Sequence, residues 1–211
     1  MNMILLNNMP SVTGLSFRHF AGESDYPKML KVIEASAEAD KIERADTIED
    51  VANNYSHLTN CNPYQDMIFA EVDGEVIGYS RGWWTDETNG PLIYGLVGFL
   101  APAWRRKGIG RRMLQWVEER LREIAISHAK ERDKCFQTFV NGDQSGLIVM
   151  LEKNGYQPVR YFYEMVRPTL ENIPDFTLPQ GLEVRPVLPE HYRAIWDADM
   201  EAFQDHWGFS A

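Results

Sequence analysis

The residues best suited to chemistry form a basic, glycine-containing segment in the middle of the chain. It runs Arg105-Arg106-Lys107-Gly108-Ile109-Gly110 and continues with Arg111 and Arg112. An apolar run over residues 92–100 precedes it, and an amphipathic helical pattern starts at Ile109. Helix N-termini carry partial positive charge and usually attract acidic residues, so cations at this point indicate an anionic ligand. The pattern predicts a strand, an anion-binding loop and a helix, with a solvated basic helix start as the alternative.

The residues that the loop lacks narrow the choice of phosphate ligand. A P-loop requires Ser or Thr after its Lys, and a dinucleotide fingerprint requires a third glycine, but Gly110 is followed by Arg111-Arg112-Met113. The segment instead resembles the acyl-CoA pyrophosphate loop, Arg/Gln-x-x-Gly-x-Gly/Ala, of the GNAT superfamily of N-acyltransferases. Further along, Leu151-Glu152-Lys153-Asn154-Gly155-Tyr156 is similar to the Tyr-Glu-Lys-x-Gly-Phe ending of that family. The resemblance covers about residues 15–167.

The resemblance implies an α/β (α+β) GNAT fold, a mixed, twisted sheet of six to seven strands flanked by helices. The residue patterns are consistent with it. Apolar and polar alternation or short apolar runs predict strands at 15–20, 67–72, 76–80, 92–100, 135–140 and 156–166. Helical spacing follows Asp25 and recurs at 48–58, 109–128 and 145–153.

The resemblance also implies which residues contact the cofactor, acetyl-CoA. Backbone N–H groups of Phe99 and Leu100 are expected to bind the pantetheine arm and the oxyanion. Gln144 stands where the family commonly has an Asn near that arm. Gly98 interrupts the strand and is a stronger candidate than Gly95 for close approach of a ligand. The full cofactor-binding set is Phe99, Leu100, Arg105, Arg106, Lys107, Gly108, Ile109, Gly110, Arg111 and Gln144.

The catalytic residues are not identified by the sequence. An amine that attacks a thioester needs a base or water to take its proton, a stabilised oxyanion and a proton for the leaving thiolate. Leu151 replaces the family tyrosine that protonates the thiolate, which leaves Tyr163, Tyr94 or solvent for that step. No spacing ranks the candidate bases, which are Glu71, Asp86, Glu87 and His57. Tyr163 and Glu71 therefore stay as weak catalytic candidates.

The acidic composition restricts the partners. With 31 acidic and 21 basic residues, the formal net charge of −10 disfavours nucleic acid and anionic membranes. The sequence has neither a signal-peptide pattern nor an apolar run of about 20 residues, which predicts a cytoplasmic protein. Cys61 and Cys135 lack metal-binding spacing with the histidines, so no metal is expected. The predicted partner is a small-molecule amine.

The end of the chain resembles its beginning. Residues 168–181 form a proline-containing linker, after which residues 182–187 repeat the pattern of residues 15–20. This predicts an N-terminal extension at 1–14, an acetyltransferase domain at 15–167 and, at 182–211, a strand and helix that open a second, incomplete unit. Tandem GNAT proteins of the mycothiol synthase type have a similar linker and opening. We expect that strand to join a sheet edge of its own domain or of a second copy, which would make a homodimer, with Trp207 and Phe209 filling a groove.

The sequence thus predicts an N-acetyltransferase that moves an acetyl group from acetyl-CoA to a primary amine by direct attack in a ternary complex. The alternative, favoured by Leu151, is a catalytically silent domain that binds acyl-CoA structurally or as a sensor. A nucleic-acid module built on residues 105–112 is a third interpretation, which the overall charge disfavours.

Overall fold

Five strands form one mixed sheet in the computed structural model, which describes residues 3–88 and 90–209. The strands are β1 (Leu15–Arg18), β2 (Met67–Val72), β3 (Glu75–Asp86), β4 (Leu92–Leu100) and β5 (Lys134–Gln137). They lie in sequence order, antiparallel from β1 to β4, with β5 parallel to β4. The predicted fold class is confirmed, although the described residues contain five strands and not six or seven.

The predicted hairpin between β2 and β3 is confirmed. Asp73 and Gly74 form its turn with φ angles of +50° and +84°, as a tight hairpin of this type requires. Every residue of β2 is buried, because helices cover both faces of the sheet. Trp83 and Trp84 extend β3, also as predicted.

Helices on the two faces of the sheet build two apolar cores. The helices α1 (Tyr26–Asp40) and α2 (Ile48–Ser56) lie on one face, where Met29 and Ile33 pack against Phe69 and Tyr79. A short helix, α3 (Pro63–Asp66), leads into β2. On the other face, α4 (Ile109–Ala125) and α5 (Ser145–Lys153) cover the opposite side of β2. No helix in the described ranges combines the length and apolarity needed to cross a bilayer.

The short length of β5 leaves one end of β4 with a single neighbour. β5 pairs only with the first four residues of β4, up to Gly95, whereas β3 pairs with all of β4. Beyond β4, the N–H of Ala101 donates to the Ile77 carbonyl of β3 at 2.8 Å. Since backbone groups alternate in direction along a strand, the N–H groups of residues 98 and 100 point to the side without a neighbour. We call this opening beside residues 96–100 the β4 gap.

Two predicted strands at the end of the chain are wrong. Residues 156–166 and 182–187 form no strand, and almost all of them are exposed. Alternation of side chains predicts an extended backbone, but only hydrogen bonds to a neighbour make it a strand, and these segments have none. The predicted strand at 135–140 is likewise shorter, because it loses β4 as a neighbour after Gln137.

The predicted terminal helix is confirmed as α6 (Tyr192–Phe203), but its predicted burial is wrong. Trp196 is 57% and Phe203 49% exposed, so the apolar side of α6 has no cover in the described structure. Trp207 and Phe209 are half-buried. The carbonyl of Phe209 accepts a hydrogen bond from the Thr88 N–H at 3.0 Å, which ties this end of the chain to the turn after β3.

Candidate functional site

The loop between β4 and α4 has the backbone shape of an anion-binding site. Arg106 and Gly108 both have left-handed conformations, with φ angles of +64° and +84°. Left-handed residues in such a loop turn successive N–H groups towards one point, which forms a concave binding site for an anion. A Cβ atom on Gly108 would lie 3.7 Å from Pro10, an ordinary van der Waals distance, so no protein atom crowds this side of the loop.

The start of α4 adds further unpaired donors to this loop. The first helical bond runs from the Arg112 N–H to the Gly108 carbonyl at 3.1 Å, so the N–H groups of residues 109–111 have no helical partner. Gly108 provides no side-chain cap for them. The exposed side chains of Arg106, Lys107 and Arg111 surround the same helix end. Donors and positive charge therefore coincide at one place, as predicted from the sequence.

Two side chains predicted to bind the cofactor have protein partners instead. Arg105 donates two hydrogen bonds to the carboxylate of Asp40, at 2.5 and 2.9 Å, and a third to the Leu100 carbonyl at 3.2 Å. Gln144 donates to the same Asp40 carboxylate at 3.2 Å. Asp40 ends α1 and is nearly buried. It thereby joins α1 to the loop and to the start of α5, a connection that the sequence does not reveal.

The strand alternation corrects one predicted backbone contact. Phe99 directs its N–H towards β3, whereas the N–H groups of Gly98 and Leu100 face the β4 gap. The Leu100 carbonyl is already engaged, because the Ser36 hydroxyl donates to it at 3.1 Å. Gly98 is exposed, which agrees with the close approach predicted for it, and Gly98 N–H is a donor that the sequence analysis did not include.

The weak catalytic candidates do not lie at the gap. Glu71 is 5% exposed, and its carboxylate accepts a hydrogen bond from Arg18 at 2.7 Å, so it is the partner of a buried arginine in this structure. Tyr163 is 86% exposed on the extended segment after α5. Tyr94 lies in the part of β4 that pairs with β5 and shares a hydrogen bond of 2.6 Å with His128.

The other candidate bases also have partners away from the gap. Asp86 ends β3 at the far side of the sheet and pairs with Arg132 at 2.8 Å, and Glu87 follows it. His57 ends α2, where its Nδ1 is hydrogen-bonded to the Asn53 carbonyl at 2.8 Å. The structure therefore engages four of these acid–base side chains in contacts other than with residues 96–100, namely those of Glu71, Tyr94, Asp86 and His57.

Two cavities lie on the α4 side of the molecule. One of about 400 Å³ is lined by residues that include His19 and Trp116. The other, of about 680 Å³, is lined by polar residues that include Asn7 and Arg112. Neither includes the loop at 105–108 or the β4 gap, so we do not place the candidate site in them.

An anion-binding helix start beside an opened sheet edge suits one class of ligand, a long molecule with a phosphate end and an extended arm. Such an arrangement is that of an acyl-CoA-dependent transferase. The profile of the acetyltransferase (GNAT) family matches residues 30–154, more than half of the chain, and the chain belongs to this family.

Individual relatives agree with this membership. A mycothiol acetyltransferase from Geodermatophilus obscurus is 29% identical over 126 residues, which cover 57% of this chain and 36% of that protein. The chain thus spans about a third of the length of this curated relative. Among solved structures, a GCN5-related N-acetyltransferase from Sphaerobacter thermophilus matches with a TM-score of 0.70 at 23% identity, covering 90% of this chain and 58% of that one. A Salmonella typhimurium protein solved with its cofactor acetyl-CoA matches with a TM-score of 0.50 at 17% identity over 69% of this chain and 80% of its own.

Proposed function

We propose that this chain transfers the acetyl group of acetyl-CoA to a primary amine of a small molecule. The observation that carries the proposal is the junction of the left-handed loop at Arg106 and Gly108 with the β4 gap. The loop and the N–H groups of residues 109–111 would hold the pyrophosphate, with Arg106, Lys107 and Arg111 around it. The free N–H groups of Gly98 and Leu100 would bind the pantetheine arm as a neighbouring strand would.

The transfer needs little acid–base chemistry from the protein. The amine nitrogen forms a bond to the thioester carbonyl carbon, the C–S bond breaks, and the nitrogen loses one proton. A thiol with an ordinary pKa near ~8.5 is a fair leaving group, so solvent can return a proton to the sulfur. We therefore assign the positioning of two reactants to this chain and the proton transfers to water.

Arg105 and Gln144 have a different role in this proposal from the one expected for the family motif. Both side chains bind Asp40, so they fix the loop relative to α1 and α5. Arg105 is then a positioning residue, and the contacts to the cofactor come from the backbone and from its neighbours.

The alternative function is a silent acyl-CoA-binding or sensor domain. It is favoured by Leu151, which is 5% exposed within the apolar core and leaves no hydroxyl at the family tyrosine position. Tyr94 and Tyr163, the tyrosines considered as replacements, lie elsewhere. The two functions share the CoA site and differ only in turnover.

The test mixes the protein with acetyl-CoA and a panel of small primary amines, including amines that carry a thiol because one relative is named a mycothiol acetyltransferase. Mass spectrometry then measures acetylated amine, and a thiol reagent measures CoA release for the amines without a thiol. We expect at least one amine to gain an acetyl group with an equal amount of CoA released. Binding of acetyl-CoA without product from any amine would support the silent domain.

We also propose the domain division predicted from the sequence, with the acetyltransferase domain over 15–167, a linker at 168–181 and the opening of a second unit at 182–211. The exposed apolar residues of α6 support this division, because they form an apolar surface that another part of a protein would cover. A second copy of the chain is the proposed cover, and sedimentation at micromolar concentration would distinguish a homodimer from a monomer.

A further inference from the structure

Arg81 is a cation without an acidic partner on the sheet face that α1 and α2 cover. Its guanidinium carbon lies 5.1 Å from the centre of the Tyr55 ring and 5.3 Å from that of Trp83. Its Nε atom is buried and has no hydrogen-bond partner. On the same side of the molecule Arg44 pairs with Asp46 and Arg105 with Asp40, but within the described residues Arg81 forms no ion pair.

The strand register places Arg81 one strand away from the β4 gap, on the other side of β4. Arg81 in β3 lies opposite Val97 in β4, and Trp83 lies opposite Gly95. Neighbouring strands are about 4.8 Å apart, so the backbone of Arg81 lies one strand spacing from Val97 and the peptide that follows it. That peptide contains the Gly98 N–H, which faces the gap. Gly95 also makes room for the Trp83 ring, since a Cβ atom there would be 2.3 Å from the ring.

The groups around Arg81 do not compensate its charge. Burial raises the pKa of Tyr55 to about 12 and the pKa of Cys61 to about 11. Burial also raises the pKa of Tyr79 well above its ordinary value, so all three are neutral at physiological pH. The nearby carboxylate of Asp66 is paired with Arg120 at 2.8 Å. In a chain with a net charge of −10, an uncompensated and partly buried arginine is unusual.

We propose that Arg81 binds a carboxylate of the acetyl acceptor, so that the acceptor is a small amine that also carries a carboxylate, such as a free amino acid. This inference rests on the proposed function, because it places the amine next to the acetyl group at the gap. A guanidinium can hold a carboxylate through two parallel N–H···O bonds, and the aromatic rings of Tyr55 and Trp83 fix the plane of the fork. The buried Nε of Arg81 has no hydrogen-bond partner among the described residues, which leaves one donor of the guanidinium for such a pair.

The test compares free amino acids with their carboxamides, which lack the negative charge, with rates calculated for the neutral form of each amine because the carboxamide amine has a lower pKa. Acetylation is measured for the wild type, Arg81→Gln and Arg81→Lys, with Arg193→Gln on the exposed side of α6 as a control for loss of one positive charge. We expect the wild type and the control to prefer the free acid by at least about tenfold in kcat/KM. Arg81→Gln should lose this preference through a higher KM for the acid, with the carboxamide rate unchanged, and Arg81→Lys should keep part of it.

A binding measurement provides a second readout that does not need turnover. Calorimetry with N-acetyl amino acids in the presence of CoA should show at least about tenfold weaker binding to Arg81→Gln than to the wild type, while CoA affinity stays the same and shows that the variant is folded. If Arg81→Gln does not fold, Arg81→Lys is compared instead.

Acetylation of acids and carboxamides at equal rates by the wild type would overturn this inference and leave the proposed function standing. Bound acetyl-CoA without acetylation of any amine would overturn the proposed function, and equal binding of the N-acetyl amino acid to wild type and variant would overturn the role of Arg81.

Discussion

Arg106 shows how the loop residues are held in place. A left-handed conformation costs a residue with a Cβ about 1–2 kcal/mol, and Arg106 adopts it at φ +64°. Such a conformation persists only where the surroundings fix it. Its neighbour Arg105 is fixed by two contacts: one with Asp40 at the end of α1, and one with the Leu100 carbonyl at the end of β4. We therefore assign to Arg105 the positioning of the loop, and to the backbone N–H groups beside it the binding of the anion.

At the residue scale, the sequence predicted where the basic loop and its helix lie but not the side chains that support them. The glycine spacing and the cations are local features, so Gly108 and its neighbours could be recognised from the sequence alone. Asp40 lies 65 positions before Arg105, and only the fold brings the two together. Arg81 was missed for the same reason, because its lack of a carboxylate is a property of the packed structure.

Replacement of Leu151 tests whether the family tyrosine could simply be restored. Leu151 is buried in the apolar core on the α4 side. Leu151→Tyr adds volume and a hydroxyl there, so we expect it to lower the free energy of unfolding by about 1–3 kcal/mol without raising turnover. Urea unfolding measures the loss, with Val149→Tyr on the exposed side of α5 as the matched control. A faster Leu151→Tyr enzyme of normal stability would show instead that residue 151 faces the thiol.

At the scale of elements, a buried ion cluster joins β1 to α1 and β2. Arg18 donates to both carboxylate oxygens of Asp25 at 2.8 Å and to Glu71 at 2.7 Å. Asp25 occupies the N-cap position of α1, as predicted, but its side chain makes no cap bond and pairs with Arg18 instead. The spacing of apolar and polar residues along the chain predicted most helices and strands. They could not predict where β5 ends or that residues 156–166 remain unpaired, because pairing depends on distant backbone.

The Asp25 carboxylate makes stability depend on pH in a defined direction. Burial alone would raise its pKa, but hydrogen bonds from Arg18, Lys28 and the Ala21 N–H outweigh this, and the pKa lies below its ordinary value. The unfolded chain therefore takes up a proton first as pH falls. The stabilisation is complete above the unfolded pKa of about 3.9 and is lost as pH falls towards the lower folded value.

Replacement of Asp25 should reveal that dependence. We expect Asp25→Asn to cost about 3–5 kcal/mol of unfolding free energy at pH 7, because Arg18 loses a buried partner. Its melting temperature should then fall less steeply than that of the wild type between about pH 5 and pH 2. Melting curves across this range measure both effects, and Asp175→Asn on the exposed segment should behave as the wild type. Parallel pH curves for Asp25→Asn and the wild type would show that the cluster does not contribute.

At the scale of the whole molecule, the family match and the two cores end together. The match extends to residue 154, and α5 ends at Lys153. After this point, nearly all described residues up to Phe203 are exposed, and none of α6 is buried. The sequence predicted a boundary near residue 167 and a helix after it. The apolar spacing predicts that this helix has an apolar side, but it cannot show whether another part of the chain packs against that side.

Deletion of residues 180–211 should therefore leave the acetyltransferase domain intact. We expect the shortened chain to bind CoA with unchanged affinity and to melt within about 4 °C of the monomeric parent, because within one chain α6 contributes no buried side chain and the Thr88 contact is a single hydrogen bond. Differential scanning calorimetry and CoA titration measure these values. Loss of CoA binding, or a much larger drop in melting temperature, would contradict the proposed boundary.

The central claim is that the backbone of the loop at Gly108 binds CoA. The direct measurement is calorimetric titration of CoA into the wild type, Gly108→Val and Gly74→Val. Both glycines have φ +84° and neither Cβ atom would clash, so the two substitutions impose similar backbone strain, but Gly74 lies in the β2–β3 turn. We predict that Gly108→Val loses more than about tenfold in affinity while Gly74→Val binds as the wild type does. Equal CoA affinity in Gly108→Val and the wild type, or no CoA binding by the wild type, would contradict the account.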